Sequence, residues 1–199
     1  MVERQLRQGG ITDERVLWAM GDVPREEFVA TQDRKRAYQD GACRIAEGQT
    51  ISQPWIVARM TELLCLRGGE RVLEIGTGSG YGAAVLSLCA AEVVTIERHA
   101  ALAEAAAHTL SRLGYGNVEV RHGDGSLGAA DRAPFDGMSI TATVSDALPQ
   151  ALREQLAPGA PVAVPIAQEG EEFLMRLRDN EAEAIAPVRF VPLRPGSEA

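Results

Sequence analysis

The feature that most constrains this chain is a loop with glycine at every second position, directly after a short apolar strand. Residues 72–82 read Val-Leu-Glu-Ile-Gly-Thr-Gly-Ser-Gly-Tyr-Gly, and an alanine-rich helix follows. Glycine has no Cβ, so the chain can turn sharply there and approach a ligand closely. Open α/β sheets bind nucleotides at the carboxyl ends of their strands, and a helix start adds free N–H groups and a positive dipole end. The pattern therefore predicts a nucleotide site at the end of this strand.

The loop is compatible with more than one ligand. The dinucleotide pattern G-x-G-x-x-G/A fits residues 78–83 only in its alanine form, and a P-loop is excluded because no Lys-Ser/Thr pair ends the glycine run. Residues 74–80 resemble, position by position, the E-x-G-x-G-x-G loop of S-adenosylmethionine-dependent methyltransferases. Glu74 favours the methyl donor, because a carboxylate suits an ammonium and a sulfonium better than a pyrophosphate. A purely structural turn is the remaining alternative.

Two further acidic positions support a nucleoside ligand. The next predicted strand ends at Glu97, about 20 residues after the loop, the spacing at which an acid meets ribose hydroxyls in α/β nucleoside sites. A third strand, at 118–122, precedes Asp124, which stands between two glycines and can accept a hydrogen bond from an adenine amino group. The alternatives are a solvated strand-end acid for Glu97 and ordinary turn chemistry for Asp124.

The order of the predicted elements indicates the fold class. From residue 71 to about 140 the pattern alternates strand and helix, which predicts a parallel sheet with right-handed crossovers. The last strands follow one another without helical spacers, so we expect an antiparallel C-terminal hairpin. The fold predicted is a Rossmann-like class I methyltransferase, with a mostly parallel seven-stranded sheet and helices on both faces. Thr12 is a plausible helix N-cap, and 195–199 reads as a loose tail.

Length and composition set the class of protein. With 199 residues we expect one domain over 1–199, in which a helical N-terminal segment and substrate loop at 1–52 precede a Rossmann-like core at 53–199. A net charge of −8 argues against a general nucleic-acid binder. Three scattered cysteines predict neither disulfides nor a metal site and suit a cytoplasmic protein. The sequence shows neither a membrane span nor a signal-peptide pattern, and we expect a monomer.

A candidate reaction centre lies upstream of the glycine loop, in the segment 48–55 that reads Gly-Gln-Thr-Ile-Ser-Gln-Pro-Trp. Ser52 precedes a helix that begins with a proline, which is a standard N-cap position. The functional alternative is that Ser52 and nearby N–H groups face the methyl group of the donor. Both interpretations are compatible, because a helix start is also an anion site.

Segments spread over nearly the whole chain resemble the protein-L-isoaspartate O-methyltransferase family, whose members repair proteins by methylating isoaspartyl residues. The segments that carry the resemblance lie at 2–6, 23–29, 48–54, 59–64, 72–81, 122–125, 133–136 and 188–193. The glycine loop is common to many methyltransferases. Thr50-Ile51-Ser52, placed ahead of that loop, is specific to this family.

The resemblance implies a role for each matching residue. Ser52 matches the catalytic serine. The cofactor S-adenosylmethionine is implied to contact Gln53, Trp55, Glu74, Gly76, Thr77, Gly78, Ser79, Gly80, Glu97, Arg98, Asp124, Gly125 and Thr141. The substrate side is implied at Thr50, Ile51, Ser52 and Ala142. The implied partners are isoaspartyl proteins and peptides, with no metal, nucleic acid or membrane.

Two acceptor-side segments depart from the family pattern. The family precedes Gly-Gln-Thr-Ile-Ser with a proline-containing stretch, whereas 42–47 here reads Ala-Cys-Arg-Ile-Ala-Glu; the loop at 141–146 also differs. We therefore expect a more mobile acceptor loop, with Glu47 adding a like charge near an anionic substrate. Two alternatives stay open: a paralogue that binds the donor but methylates another carboxylate or none, and a dinucleotide-dependent oxidoreductase.

The chemistry of the implied reaction also predicts the groups around the acceptor. A carboxylate loses its charge as it attacks the methyl group of a sulfonium, so a site that binds the carboxylate too tightly slows the transfer. We therefore expect neutral hydroxyl and backbone donors around the acceptor rather than an arginine clamp.

Overall fold

The N-terminal third of the chain is built from short helices and one small hairpin. A computed structural model describes residues 1–168, 170–179 and 181–198. The elements up to the first sheet strand are a π-helix at Val2–Arg7, α1 at Glu14–Asp22, 3₁₀ turns at Arg25–Phe28 and Thr31–Arg36, β1 at Cys43–Arg44, β2 at Thr50–Ile51 and α2 at Pro54–Leu63. β1 and β2 pair antiparallel, so they present the Thr50–Ile51 segment as one arm of a hairpin.

The rest of the chain alternates strands and helices as the sequence predicts. The elements are β3 at Arg71–Ile75, α3 at Tyr81–Cys89, β4 at Glu92–Glu97, α4 at Ala100–Arg112, β5 at Val118–His122, 3₁₀ turns at Gly125–Leu127 and Ala130–Arg132, β6 at Gly137–Ile140, β7 at Val144–Ser145, α5 at Gln150–Arg153, β8 at Val162–Gln168, β9 at Glu171–Arg178 and β10 at Glu181–Pro187.

The sheet has the predicted topology. Its strand order is β10-β9-β8-β6-β3-β4-β5, and the short β7 adds a further pairing to β8. The strands from β8 through β6, β3 and β4 to β5 pair in parallel, whereas β9 and β10 pair antiparallel. The mostly parallel seven-stranded sheet with an antiparallel C-terminal hairpin is thus confirmed. β3 lies between β6 and β4, so its carboxyl end is flanked by the carboxyl ends of these two strands.

Two groups of buried side chains cover the two faces of the sheet. Successive residues of a strand point to opposite faces, so Val72 packs with α1, α2 and α3 while Leu73 packs on the other face with α5. The group that contains Val72 also contains Leu6 and Phe28 from the N-terminal segment. Among the residues that the structure describes, no helix is long and apolar enough to cross a bilayer.

The predicted N-cap of the first helix is wrong by one residue. Asp13 caps α1, with its side chain accepting hydrogen bonds from the N–H groups of Arg15 and Val16. The backbone N–H of Thr12 instead donates to Oε1 of Glu62 at 2.7 Å. A long-range contact with α2 therefore decides where α1 begins, and the local pattern does not contain that information.

Gln155 supplies a test of this packing, because its buried amide joins three backbone groups. Its Oε1 accepts from the N–H of Ala129, and its Nε2 donates to the carbonyls of Leu127 and Ala151. Gln155→Ala leaves these groups without partners and should lower the free energy of unfolding by about 1–3 kcal/mol. Urea denaturation measures the loss. Gln150→Ala removes only an exposed side-chain pair with Glu154 and serves as the control; an equal effect of both changes would contradict the packing role.

Candidate functional site

The main cleft of the molecule lies at the carboxyl ends of the parallel strands. It has a volume of about 1080 Å³. Three stretches of chain form most of its wall: the end of the small hairpin at 49–53, the glycine loop at 74–79, and the C-terminal segment at 187–194. The predicted donor loop and the predicted acceptor segment therefore face one common space.

Gly76 and Gly78 form the floor of the cleft in conformations that suit glycine. Their φ angles are +93° and +54°, in the left-handed region that residues with a Cβ rarely adopt. At Gly76 a Cβ would also collide with the hydroxyl of Thr141. That hydroxyl lies 2.7 Å from the carbonyl oxygen of Gly76 and 3.0 Å from that of Ile75. Thr141 thus holds the beginning of the loop against the end of β6.

Glu97 holds the middle of the same loop. The residue is 5% exposed and lies at the end of β4. Its Oε2 accepts from the N–H of Gly78 at 2.8 Å, and its Oε1 accepts from the N–H of His99 at 3.1 Å. Each carboxylate oxygen can accept a second hydrogen bond, so Glu97 can fix the loop and still accept hydroxyl donors from a ligand in the cleft.

Glu74 is a buried acid beneath the loop. It is 1% exposed, and its Oε2 accepts from the hydroxyl of Thr95 at 2.7 Å. Burial raises the pKa of Glu74 to about 8, with a further increase from the nearby Glu97 and an opposing decrease from Thr95. Without a ligand the group is therefore mainly protonated at neutral pH. A Cβ on Gly82 would collide with this carboxyl group, so glycine there lets α3 pass close to it.

Ser52 lies on the wall of the cleft opposite the glycine loop. Gln53 occupies the N-cap position of α2, and that helix has no side-chain cap. The prediction that Ser52 caps the helix is therefore wrong. Pro54 is the first residue of α2, so the N-cap position falls on Gln53, one residue after Ser52. The carbonyl oxygen of Ser52 accepts a hydrogen bond from Nη2 of Arg25 at 2.7 Å, which fixes the backbone of the segment from behind.

Most of the predicted site residues line the cleft. Those found on its wall are Thr50, Ile51, Ser52, Gln53, Glu74, Gly76, Thr77, Gly78, Ser79, Glu97, Arg98, Gly125, Thr141 and Ala142. They come from five separate stretches of sequence, and the parallel sheet brings them together because it places the ends of β3, β4 and β6 at one edge.

Three of the predicted cofactor contacts, Trp55, Gly80 and Asp124, are not among the residues that line the cleft, and their contacts with the cofactor stay predictions. The indole N–H of Trp55 donates to the carbonyl of Gly9, so this side chain packs on the N-terminal segment. Gly80 is the N-cap residue of α3. A Cβ on Gly80 would lie 3.2 Å from the side chain of Leu110 in α4, so glycine at this position allows the two helices to pack closely.

The third of these residues is Asp124, whose carboxylate accepts hydrogen bonds from within the protein. Its Oδ1 accepts from the N–H and the hydroxyl of Ser126, and its Oδ2 accepts from the N–H of Gly196 at 2.6 Å. Despite partial burial, these hydrogen bonds keep the pKa of Asp124 below its usual range. These are the hydrogen bonds that the turn-chemistry alternative predicts, and the neighbouring Gly125 lines the cleft. Because Oδ2 can accept a second hydrogen bond, the contact of Asp124 with the cofactor stays a prediction.

The C-terminal tail contradicts the prediction of a loose end over its described part. The N–H of Glu198 donates to the carbonyl of Arg98 at 2.7 Å, and the carbonyl of Glu198 accepts from the N–H of Ala100 at 3.1 Å. The Glu198 carboxylate lies 2.6 Å from a guanidinium nitrogen of Arg98 and 3.2 Å from Nδ1 of His99. The tail thus passes beside the end of β4 and contributes Glu198 to the cleft wall.

Sequence reasoning missed the wall formed by residues 187–194. Glu172 of β9 positions it, because its Oε2 accepts from the hydroxyl of Thr143 and from the N–H of Phe190. The backbone of Thr143 also exchanges hydrogen bonds with Val191 and Leu193. Residues 188–193 entered the sequence analysis only as part of the resemblance. They carry no motif with a chemical meaning of its own, so only the contact with the loop after β6 identifies them.

Comparisons with known proteins agree with this geometry. The family model described as protein-L-isoaspartate(D-aspartate) O-methyltransferase matches residues 1–198. A protein-L-isoaspartate O-methyltransferase 2 from Anaeromyxobacter sp. (strain Fw109-5) is 50% identical, over 98% of this chain and 82% of its own length. A protein of the same name from Marinobacter nauticus is 51% identical, over 97% of this chain and 90% of its own.

Solved structures show the same fold. A protein-L-isoaspartate O-methyltransferase superposes with a TM-score of 0.86 at 30% identity, over 96% of this chain; this chain spans 65% of that one. A structure from Plasmodium falciparum in complex with S-adenosyl-L-homocysteine superposes with a TM-score of 0.82 at 23% identity. The match covers 97% of this chain and 96% of that one, and at this identity it supports the fold alone.

The sheet, the glycine loop and the cleft at the strand ends define a class I methyltransferase that depends on S-adenosylmethionine. The alternative of a dinucleotide oxidoreductase is thereby set aside. The chain belongs to the protein-L-isoaspartate(D-aspartate) O-methyltransferase family.

Glu74 makes stability depend on pH in a testable direction. Its pKa in the folded protein, about 8, lies above the ordinary value of 4.5. The unfolded chain therefore releases this proton first, and the stability that protonated Glu74 contributes is full below pH 4.5 and is lost as the pH rises towards 8. Each pH unit within that window costs at most about 1.4 kcal/mol.

The measurement compares the wild type with Glu74→Gln, which cannot titrate. Between pH 5 and pH 8 the wild type should lose about 1–3 kcal/mol of unfolding free energy relative to the variant. Glu104→Gln, at an exposed position on α4, is the control. A difference between wild type and Glu74→Gln that stays constant over this range would rule out the neutral buried acid.

Proposed function

We propose that this chain transfers the methyl group of S-adenosylmethionine to the free α-carboxylate of L-isoaspartyl residues in damaged proteins and peptides. One observation carries the proposal: the Thr50–Ser52 segment and the glycine loop line a single cleft. Membership of the family supports the reaction, and the cleft supports the assignment of its two sides. The volume of about 1080 Å³ leaves room for the donor together with an acceptor side chain.

The donor side of the proposal is the glycine loop with the ends of β3 and β4. The backbone of Gly76, Thr77, Gly78 and Ser79 would lie along the methionine part of the donor, because only glycine lets the main chain approach so closely. Glu97 would accept hydrogen bonds from the ribose hydroxyls with its remaining lone pairs.

The remaining donor contacts are assigned from their places on the cleft wall. Gln53, Arg98, Gly125 and Thr141 lie there beside the glycine loop and the end of β4, and each would contact the donor. Glu74 lies beneath the same loop, and a cationic ligand nearby would favour its ionised form.

The acceptor side is the wall formed by Thr50, Ile51, Ser52 and Ala142. The isoaspartyl carboxylate is ionised at neutral pH and needs no general base. Its oxygen forms a bond to the methyl carbon while the carbon–sulfur bond breaks, and the electron pair of that bond stays on sulfur, which becomes a neutral thioether. Ser52 would orient the attacking carboxylate by a hydrogen bond, so that oxygen, carbon and sulfur lie in line.

The proposal also covers the oligomeric state, the domain organisation, the cellular compartment and the partners of the protein. We propose a monomeric, single-domain protein over residues 1–199 that acts in the cytoplasm on isoaspartyl proteins, without nucleic acid or membrane partners. Buried side chains of the N-terminal segment that pack with α1, α2 and α3 support the single domain. The free cysteines Cys43, Cys65 and Cys89 suit a reducing compartment.

A weakened paralogue is the second candidate function, and the hairpin that carries the acceptor segment favours it. Glu47 stands exposed at the hairpin tip with φ +54°, where the family pattern has neighbouring prolines. Such a protein would bind the donor without methylating isoaspartyl peptides, so one assay separates the two candidates.

The decisive experiment measures methyl transfer from tritiated S-adenosylmethionine to an isoaspartyl peptide and to its aspartyl isomer. We expect transfer to the isoaspartyl peptide alone. Loss of one hydrogen bond to a charged acceptor in Ser52→Ala should lower kcat/KM about 10- to 100-fold, with unchanged donor affinity by calorimetry. Ser111→Ala, exposed on α4, is the control. Equal methylation of both isomers, or of neither, would refute the substrate assignment.

The C-terminal tail provides a separate test of the donor site. Because Gly196 and Glu198 join the tail to Asp124 and Arg98 beside the cleft, deletion of residues 195–199 should open this edge. We expect the Kd of S-adenosyl-L-homocysteine to rise on the order of tenfold, which corresponds to about 1.4 kcal/mol. The kcat at saturating donor should change little, because the described contacts of Gly196 and Glu198 are with Asp124, Arg98 and His99 rather than with Ser52. Unaltered donor affinity would show that the tail is no part of the site.

A further inference from the structure

Arg25 is a fully buried cation behind the acceptor segment. Its exposed fraction is 0%, and it lies in the 3₁₀ turn after Pro24. Its Nε donates to the carbonyl of Ala37 and its Nη2 to the carbonyl of Ser52, both at 2.7 Å. Its Nη1 is buried and has no hydrogen-bond partner among the described residues. Within that part of the chain the guanidinium also makes no ion pair with a carboxylate.

The same guanidinium contacts the donor side through an aromatic ring. Its central carbon lies 4.6 Å from the ring centre of Tyr81, in a cation–π contact. Tyr81 is the first residue of α3, directly after the glycine loop, and lines the cleft. Arg25 is therefore in contact with Ser52 on the acceptor side and with Tyr81 on the donor side, while Arg25 itself lies outside the cleft wall.

Among the described residues, no carboxylate neutralises the charge of Arg25. Burial lowers the pKa of Arg25, but an arginine side chain stays protonated in proteins. A buried charge without a counter-ion is costly to the folded protein. It also produces a positive potential that is stronger in a low-dielectric interior than in water. The segment that carries Ser52 lies within this potential.

We propose that Arg25 is a positioning residue that makes the cleft select an anionic acceptor without touching it. It holds the backbone of Ser52 through the carbonyl, and its uncompensated charge favours a carboxylate on the other side of that segment. This inference rests on the proposed function. The acceptor loses its charge in the transition state, so direct contact with an arginine would stabilise the ionised acceptor more than the transition state. A guanidinium behind the segment acts with the same sign but more weakly, because the interaction falls with distance.

The test compares two peptides that differ only in the charge of the acceptor. One carries an isoaspartyl residue with a free α-carboxylate, and the other carries the corresponding α-carboxamide. Their Kd values are measured by calorimetry with S-adenosyl-L-homocysteine present. The wild type should prefer the carboxylate. Arg25→Gln should reduce that preference about tenfold by raising the Kd of the carboxylate peptide alone, whereas Arg25→Lys should keep most of it.

Controls separate the charge from a merely structural role. Arg112→Gln removes an exposed arginine that pairs with Glu27, and it should leave the preference unchanged. A Kd that rises equally for both peptides in Arg25→Gln, or an Arg25→Lys variant that behaves like Arg25→Gln, would overturn the inference. If the wild type neither binds nor methylates the isoaspartyl peptide, the proposed function itself fails, which is a different outcome.

A measurement on the wild type alone keeps the proposal testable even where a variant fails to fold. The exposed arginines Arg189 and Arg194 also line the cleft, and they are the competing source of a carboxylate preference. Salt screens exposed charges much more than buried ones. The preference should therefore change less than twofold between about 0.05 and about 0.5 M NaCl if Arg25 causes it, a range from about a third to about three times physiological ionic strength. A several-fold decrease would assign it to the exposed arginines.

Discussion

The structure depends on how the glycine loop after β3 is held. Oε2 of Glu97 accepts from the N–H of Gly78, and the hydroxyl of Thr141 contacts the carbonyl of Gly76. These contacts join the loop to the ends of the two strands that flank β3 in the sheet. Every second residue of the loop is a glycine without a side chain, so neighbouring strands supply hydrogen bonds that define its conformation. The same arrangement leaves the inner surface of the loop free for a ligand.

Two buried ionisable groups near the cleft, Glu74 and Arg25, differ in their charge at neutral pH. Glu74 beneath the donor loop has a raised pKa and is mainly neutral without a ligand, because burial disfavours its ionised form. Arg25 behind the acceptor segment keeps its charge, because its intrinsic pKa is far too high for burial to remove the proton. In the proposed assignment, the donor side has an acid that is mainly neutral without a ligand, and a fixed cation lies behind the acceptor side. This difference follows from the chemistry of the two side chains rather than from their degree of burial.

Most of the fold and a large part of the candidate site could be predicted from the sequence. The alternation of strand and helix predicted the parallel sheet, and the lack of spacers predicted the hairpin of β9 and β10. Several contacts that local motifs do not predict involve a partner distant in sequence. Trp55 donates to Gly9, Asp124 accepts from Gly196, and the cap of α1 shifts because Thr12 contacts Glu62. A local motif shows which hydrogen bonds a side chain can make, but it does not show which partner reaches it.

The sequence by itself determined the class of chemistry. Glycines at alternate positions after an apolar strand, acids at the ends of the next strands and the Thr-Ile-Ser segment are local patterns, and local patterns reflect backbone conformation and functional groups. The folded chain shows in addition which of these groups share a cleft, that residues 187–194 and Glu198 complete its wall, and that Arg25 lies behind Ser52. The physical reason is that burial, pKa and potential depend on every atom packed around a group, and most of those atoms come from distant parts of the chain.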